Sequence, residues 1–209
     1  MQTRMLFFSV IAALFFTVSA FAQSDVTYGV RAGVNFQNLN GKDSDGDNLD
    51  NKLKTGFNVG VNAEVPVGID FYLQPGLLFS TKGAKYDFQG VETTRTISYL
   101  ELPVNFLYKP ELGDGRLLLG FGPYAAFAVG GKIKGGNTDI DMDFGNEIGE
   151  TKPFDAGANL LAGYEFSNNF SFQLNAGLGL INMYNRPQGD SESSLKNTGF
   201  GLSLGYRFK

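Results

Sequence analysis

An acidic run in the second half of the chain has the spacing of a calcium-binding loop. Its carboxylates would take positions 1, 3, 5, 9 and 12 of such a loop: Asp139, Asp141, Asp143, Glu147 and Glu150. Carboxylate oxygens are the hard ligands that Ca²⁺ prefers, but Phe144 stands where the loop needs a glycine. The acids also alternate with Ile140 and Met142, as in a strand with one solvated face. We expect a strand extension here and keep calcium binding as the alternative.

Residue types that most enzymatic chemistry needs are missing from the chain. The sequence contains no histidine and no cysteine. A serine–histidine pair, a histidine metal ligand, a thiol nucleophile and a disulfide framework are therefore excluded. We expect neither enzymatic activity nor a cofactor. The formal net charge is −4, so nucleic acid is not an expected partner.

The chain contains predicted strands with one apolar face and one small, polar face, and these strands must position the charged residues that remain as candidates for a functional site. In the last of them, Phe200, Leu202 and Leu204 fall on one face, opposite Gly201, Ser203 and Gly205. Glycine and serine suit a narrow, crowded interior, so the apolar face points outward. The same period of two predicts eight strands, at about 26–36, 55–67, 71–81, 100–109, 116–129, 154–166, 170–180 and 199–208.

The connections between these segments alternate in length. Polar loops are expected at 37–54, 82–95, 131–152 and 182–197, and short turns at 68–70, 110–115 and 167–169. Long outside loops, short inside turns and an even strand number are typical of outer-membrane barrels. The sequence therefore predicts an all-β fold, an eight-stranded antiparallel up-and-down transmembrane β-barrel. Both termini would be periplasmic.

Charged residues on the inward face of these strands form a set of mixed sign: Arg31, Glu64, Glu101, Lys109, Asp155, Glu165 and Arg207. An eight-stranded barrel is only wide enough for side chains to fill it, and buried charges need partners. We expect a self-neutralising polar network that plugs the lumen; a solute path or a proton-active site is the alternative. Four aromatic residues are expected in the girdle at membrane level: Tyr86, Phe88, Tyr99 and Tyr184.

The first residues have the form of a secretory signal. Arg4 precedes an apolar stretch that is short for a membrane span, and Ala20 and Ala22 flank Phe21 as in a small-x-small cleavage site. We predict a signal peptide over 1–22, cleavage after Ala22, and a barrel domain over 23–209 in the bacterial outer membrane.

The segment 98–109 resembles the signature strand of the PorT-like outer-membrane β-barrel domain family, and 71–79 and 205–208 fit the same pattern. The resemblance covers essentially the whole mature chain. It implies an eight-stranded outer-membrane barrel, in a family whose members mostly have no assigned chemistry. One branch is associated with protein secretion, but no motif here carries that role over.

The predicted barrel and the missing residue types together favour a structural or surface-interaction role through the long extracellular loops. The expected partners are outer-membrane lipid, the barrel-assembly machinery during biogenesis, and a surface or envelope protein that contacts the loops. A narrow channel or small-solute pore is the main alternative. A soluble lipocalin-like barrel is a third possibility, in which Leu102 and Phe172 would line the lumen.

Overall fold

The computed structural model describes residues 26–136, 138–148, 150–185, 187, 190 and 192–208. The signal peptide expected over 1–22 lies outside them. The described chain forms strands β1 Thr27–Lys42, β2 Lys54–Gly68, β3 Phe71–Phe88, β4 Val91–Tyr108, β5 Glu111–Leu112, β6 Gly115–Gly135, β7 Thr138–Asp141, β8 Phe154–Glu165, β9 Phe170–Gly179 and β10 Ser194–Phe208. Within these ranges, no helix is long and apolar enough to cross a membrane.

Eight of the strands close into a ring. Neighbours pair antiparallel in the order β4–β3–β2–β1–β10–β9–β8–β6, and β4 pairs with β6 to complete the circle. The first and last strands meet along their whole length, from Tyr28 opposite Phe208 to Lys42 opposite Ser194. Two short strands, β5 and β7, pair only with β6. The predicted all-β, eight-stranded, up-and-down barrel is confirmed.

Side chains alternate between the lumen and the outer surface as the sequence predicts. On β10, Phe200 and Leu204 are exposed, whereas Ser203 between them is buried. Phe172 on β9 is 43% exposed, so it does not line the lumen and the lipocalin-like interpretation is wrong. Exposed apolar side chains on every long strand form a continuous outer surface that suits lipid.

Glycine on the inner face allows the barrel to be narrow. A Cβ atom at Gly33, Gly122 or Gly157 would collide with a backbone carbonyl of the neighbouring strand: Leu202, Val104 and Leu178, respectively. No side-chain rotamer relieves a clash between Cβ and backbone, so the strand spacing there requires the absence of a side chain. The inner-face glycines therefore set the barrel's tight curvature.

At the end of the barrel opposite the start of β1, which we call the loop end, the strands extend further than the sequence indicated. The loop expected at 82–95 is wrong, because β3 and β4 form one continuous hairpin that turns at Gln89 and Gly90, both with positive φ. Similarly, β6 runs to Gly135 and β7 folds back on it, inside the segment expected to be a loop over 131–152. In these stretches the outward positions carry polar and charged residues such as Lys85, Glu92 and Lys132, so the apolar alternation that marks a membrane strand is absent.

These lengths exceed what a bilayer requires. A tilted transmembrane strand needs about 9–11 residues, whereas β3 and β4 each have 18 and β6 has 21. The excess lies at the end opposite the start of β1 and the end of β10, where β3, β4, β6 and β7 continue as a four-stranded sheet beyond the closed barrel. We call this the protruding sheet.

Candidate functional site: the barrel interior

Four charges form a closed ring inside the barrel at the end where β1 begins and β10 ends, which we call the terminal end. Lys109 Nζ is 2.7 Å from Glu64 Oε2 and 3.0 Å from Glu165 Oε1. Arg207 Nε is 3.2 Å from Glu165 Oε2, and its guanidinium also donates to Glu64. Glu64 and Lys109 are 1% and 2% exposed. We call these four residues the charge ring. Its two acids and two bases compensate one another, as buried ions must.

Each member of the charge ring comes from the end of a different long strand. Glu64 lies near the end of β2 and Arg207 near the end of β10, while Lys109 directly follows β4 and Glu165 ends β8. Gln74 fixes the Glu64 carboxylate by donating to Oε1 at 3.1 Å. The ring thus ties four strands together across the lumen, and it blocks this end of the barrel.

Leucines form an apolar layer next to the charge ring. Leu107, Leu118 and Leu161 are buried against one another and against Tyr72. Their positions on β4, β6 and β8 have the same parity as the inward polar residues. Our expectation of a polar lumen missed them, although the parity of each strand was sufficient to find them. Tyr72 joins the layer to the charge ring, because Lys109 Nζ lies 5.2 Å from the centroid of its ring.

A second charged cluster lies around Lys82, towards the loop end of the barrel. Its Nζ is 3.3 Å from Glu101 Oε2 and 3.7 Å from Asp155 Oδ2, and 4.3 Å from the centroid of the Tyr124 ring. The Tyr124 hydroxyl donates to Asp155 Oδ2 at 3.0 Å. Lys82 was missed because the sequence pattern assigned it to a loop. Its place on β3 makes it the partner of two of the predicted lumen acids.

Tyr99 is a correction to the expected aromatic girdle. Its side chain is fully buried in the lumen, with 0% exposure. The hydroxyl donates to Met183 Sδ at 3.0 Å and accepts from Asn197 Nδ2 at 3.3 Å. Asn197 also donates to Asp155 Oδ2 at 2.8 Å, which joins Tyr99 to the Lys82 cluster. Tyr99 has the inward parity of Glu101 on the same strand, which the girdle assignment overlooked.

A small polar cavity of about 70 Å³ lies between the two charged clusters. Arg31, Asn58, Glu101 and Asn175 are among its lining residues. Arg31 donates to Asn175 Oδ1 at 3.4 Å, and its buried Nε has no hydrogen-bond partner among the described residues. Arg31 therefore belongs to neither ion-paired cluster. The cavity has room for a few water molecules, which such polar walls would bind.

Apolar side chains close the barrel at the loop end. Met183, from the connection between β9 and β10, is fully buried in a cluster with Leu39, Ala84, Ile97, Ala126, Ala128 and Leu195, against which Leu49, Met142 and Phe144 pack. The Met183 amide donates to the Leu195 carbonyl at 2.9 Å, and its carbonyl accepts from the Lys152 amide at 2.9 Å. We call this group the mouth cluster. It was not foreseen, because loop residues gave no periodic signal.

The acidic run of the calcium alternative does not converge in this structure. Asp139 and Asp141 lie on β7 and face lysines of β6, with Lys134 Nζ 2.8 Å from Asp139 and Lys132 Nζ 3.5 Å from Asp141. The hydrogen bond from Lys134 lowers the pKa of Asp139. The Glu150 carboxylate instead accepts from the Glu147 amide. Among the described residues, no group of three or more acids could hold a metal ion.

Comparison with known families decides what kind of barrel this is. The family model described as "Outer membrane protein beta-barrel domain" matches residues 21–185, most of the chain. The chain belongs to this family. The barrel is therefore an integral protein of the bacterial outer membrane, and its exposed apolar surface faces lipid.

Three solved structures illustrate the likeness. Ail, the attachment invasion locus protein of Yersinia pestis, solved with the heparin analogue sucrose octasulfate, is 15% identical, with 88% of this chain and 99% of that chain covered and a TM-score of 0.45. A major outer membrane protein from Thermus thermophilus is 18% identical, with coverages of 88% and 100% and a TM-score of 0.47. Neisserial surface protein A is 10% identical, with coverages of 87% and 97% and a TM-score of 0.46. With TM-scores below 0.5, these likenesses carry no argument, and membership of the family rests on the family model. No curated protein matches the chain.

Proposed function

We propose that this protein is a non-enzymatic, non-conducting barrel that anchors the protruding sheet at the cell surface for interaction with a partner. The observation that carries the proposal is the filled interior. The charge ring blocks one end and the mouth cluster blocks the other. Between them lie the leucine layer, the Lys82 cluster and the polar cavity of about 70 Å³. A lumen packed in this way serves as a rigid support. No cofactor is required for such a role.

We further propose that the termini and short turns are periplasmic, after removal of residues 1–22 by cleavage behind Ala22. The lengths of the connections support this orientation: 69–70 and 166–169 are short, whereas 43–53 and 180–193, at the opposite end, are long, as in barrels with short periplasmic turns and longer extracellular loops. Aromatic pairs near the terminal end form an interfacial girdle there. Ring centroids of Phe71 and Tyr108, and of Phe170 and Tyr206, are each 4.9 Å apart. The β10 strand would then be the element that the barrel-assembly machinery meets. The resemblance of 98–109 supports assignment to the PorT-like branch.

The protruding sheet has two unlike faces, which supports a role in surface interaction. On its outer face every lysine has an acidic partner: Lys85 with Glu92, Lys132 with Asp141, and Lys134 with Asp139. The other face looks over the barrel mouth and carries apolar side chains, of which Phe88 is 62% exposed. Val91 and Ile140 are also exposed. Exposed apolar surface away from lipid marks a site of protein contact.

Protease treatment of intact cells tests the orientation. Cleavage is expected within 43–53 and within 142–153, because these connections would lie outside the cell, and the turns at Gly113 and Asn168 are expected to be protected until the envelope is opened. Mass spectrometry of the fragments identifies the cut sites. Cutting at Gly113 in intact cells would show that the orientation is reversed.

Conductance in planar bilayers tests the filled interior. The purified barrel is expected to give no discrete openings, in bilayers where a porin included as positive control does. The narrow-channel alternative draws support from the polar cavity and the unpaired Arg31 Nε. Openings of reproducible size, altered in Arg31→Gln, would establish the channel and overturn the proposal.

A further inference from the structure

Lysines on the strands fall into three groups by their surroundings. Lys54 and Lys82 are buried inside the barrel. Lys85, Lys132 and Lys134, on the outer face of the protruding sheet, all have acidic partners. Lys42 on β1 and Lys196 on β10 are exposed, and no carboxylate of the described chain lies within ion-pairing distance of either. These two lysines are the exposed strand cations that the fold leaves unpaired.

The two unpaired lysines lie close together on the barrel wall. Lys196 is opposite Asn40, and Lys42 is opposite Ser194, in the pairing of β1 with β10. Lys42 and Lys196 are therefore diagonal neighbours on one face, a relation in which side chains about 7–8 Å apart at the backbone can reach a common group. Exposed Asn40 lies between them. We call Lys42, Lys196 and Asn40 the wall patch.

Neighbouring acids do not compensate the wall patch. Asp43 follows Lys42 directly, but its carboxylate accepts from the backbone amides of Asp45 and Asp47 at 3.0 Å. It is thus turned into its own loop. The charge of the wall patch is left for a group outside the chain.

The position of the wall patch along the barrel axis indicates which outside group compensates its charge. Phe36 and Phe200 are paired below it on the same outer face, with ring centroids 5.4 Å apart. Apolar residues continue from there to the terminal end, whereas above this pair the outer face becomes polar, with Asn40, Lys42 and Lys196. A lipid whose acyl chains cover Phe36 and Phe200 must therefore place its headgroup against the wall patch.

We propose that the wall patch binds a phosphate of the lipopolysaccharide that forms the outer leaflet. Two ammonium groups and an amide donor suit a single phosphate, and clustered basic residues at a membrane surface bind anionic headgroups. The assignment to the outer leaflet rests on the proposed orientation, with the loop end outside. The wall patch lies at the edge of the apolar outer surface, which is where lipid headgroups lie; binding of a protein partner would not require this position.

The test measures binding of lipid A to the folded barrel in nanodiscs of phosphatidylcholine, by native mass spectrometry. The Lys42→Gln/Lys196→Gln variant is expected to bind lipid A about thirtyfold more weakly, from two lysines at an anionic headgroup. The matched control, Lys132→Gln/Lys134→Gln, removes two outer-face lysines that already have partners, and is expected to bind as the parent protein does. Lipid A without its phosphates is expected to bind the parent protein and the Lys42→Gln/Lys196→Gln variant equally weakly.

Three results would overturn the proposal: equal losses in both variants, undiminished binding of dephosphorylated lipid A, or equally tight binding of phosphatidylglycerol, which would make the patch a general anion site. Nanodiscs expose both ends of the barrel, so this binding does not depend on orientation in the cell. A reversed orientation would instead appear in the protease experiment. The two proposals therefore fail separately.

Discussion

Replacing Lys109 with alanine is expected to destabilise the barrel by about 3–5 kcal/mol, the cost of removing one partner from a buried ion pair. Lys109 Nζ contacts both Glu64 and Glu165, at 2.7 and 3.0 Å. Without it, the buried Glu64 and the partly buried Glu165 share a single cation, Arg207. The loss is measured as the free energy of unfolding in urea, with the barrel refolded into lipid vesicles.

A matched control separates burial from pairing. Lys134 also has a short ion pair, 2.8 Å to Asp139, but its side chain is 62% exposed. Lys134→Ala is expected to cost less than about 1 kcal/mol, as exposed ion pairs do. Adding Glu64→Gln to Lys109→Ala should recover part of the loss, because it removes one uncompensated charge. Equal costs for Lys109→Ala and Lys134→Ala would contradict the charge ring as a buried network.

Removing residues 206–209 is expected to abolish membrane insertion. Tyr206 pairs with Val30 on one side and with Phe170 on the other. The truncation leaves unpaired backbone groups in hydrocarbon, each of which costs several kcal/mol, and it removes Arg207 from the charge ring. The chain is expected to stay in the periplasm, aggregated or degraded, with no heat-modifiable species on gels.

Shortening the protruding sheet is the matched control for that truncation. Ile133 and Ile140 are directly opposite in the pairing of β6 with β7, so 134–139 can be replaced by a two-residue Asn-Gly turn. This change spares Met142 and Phe144, which pack against the mouth cluster. The shortened chain is expected to insert and to remain heat-modifiable. The reverse pattern, with the truncated chain inserted and the shortened one not, would overturn the role of β10 as the closing strand.

Met142 and Phe144 lie in a segment whose structure the sequence did not predict. The segment 131–152 was expected to be a long surface loop. Its first part is instead the β6–β7 hairpin, and its later part brings apolar side chains to the barrel mouth. Loop residues such as Met183 have no period along the chain. Their burial depends on the shape of the opening that the strands leave, and no local pattern encodes it.

The sequence by itself determined the number of barrel strands, their facing and the inward position of all seven charged residues, because these follow from a side-chain period of two within each strand. Only the tertiary structure decided which charges meet. Glu64 and Arg207 are far apart in the chain, and their contact depends on the stagger between strands around the closed barrel. The same stagger brought Lys82, Tyr124 and Asn197 to Asp155. Periodicity assigns a side chain to a face, whereas the shear of the closed sheet selects its neighbours across the lumen.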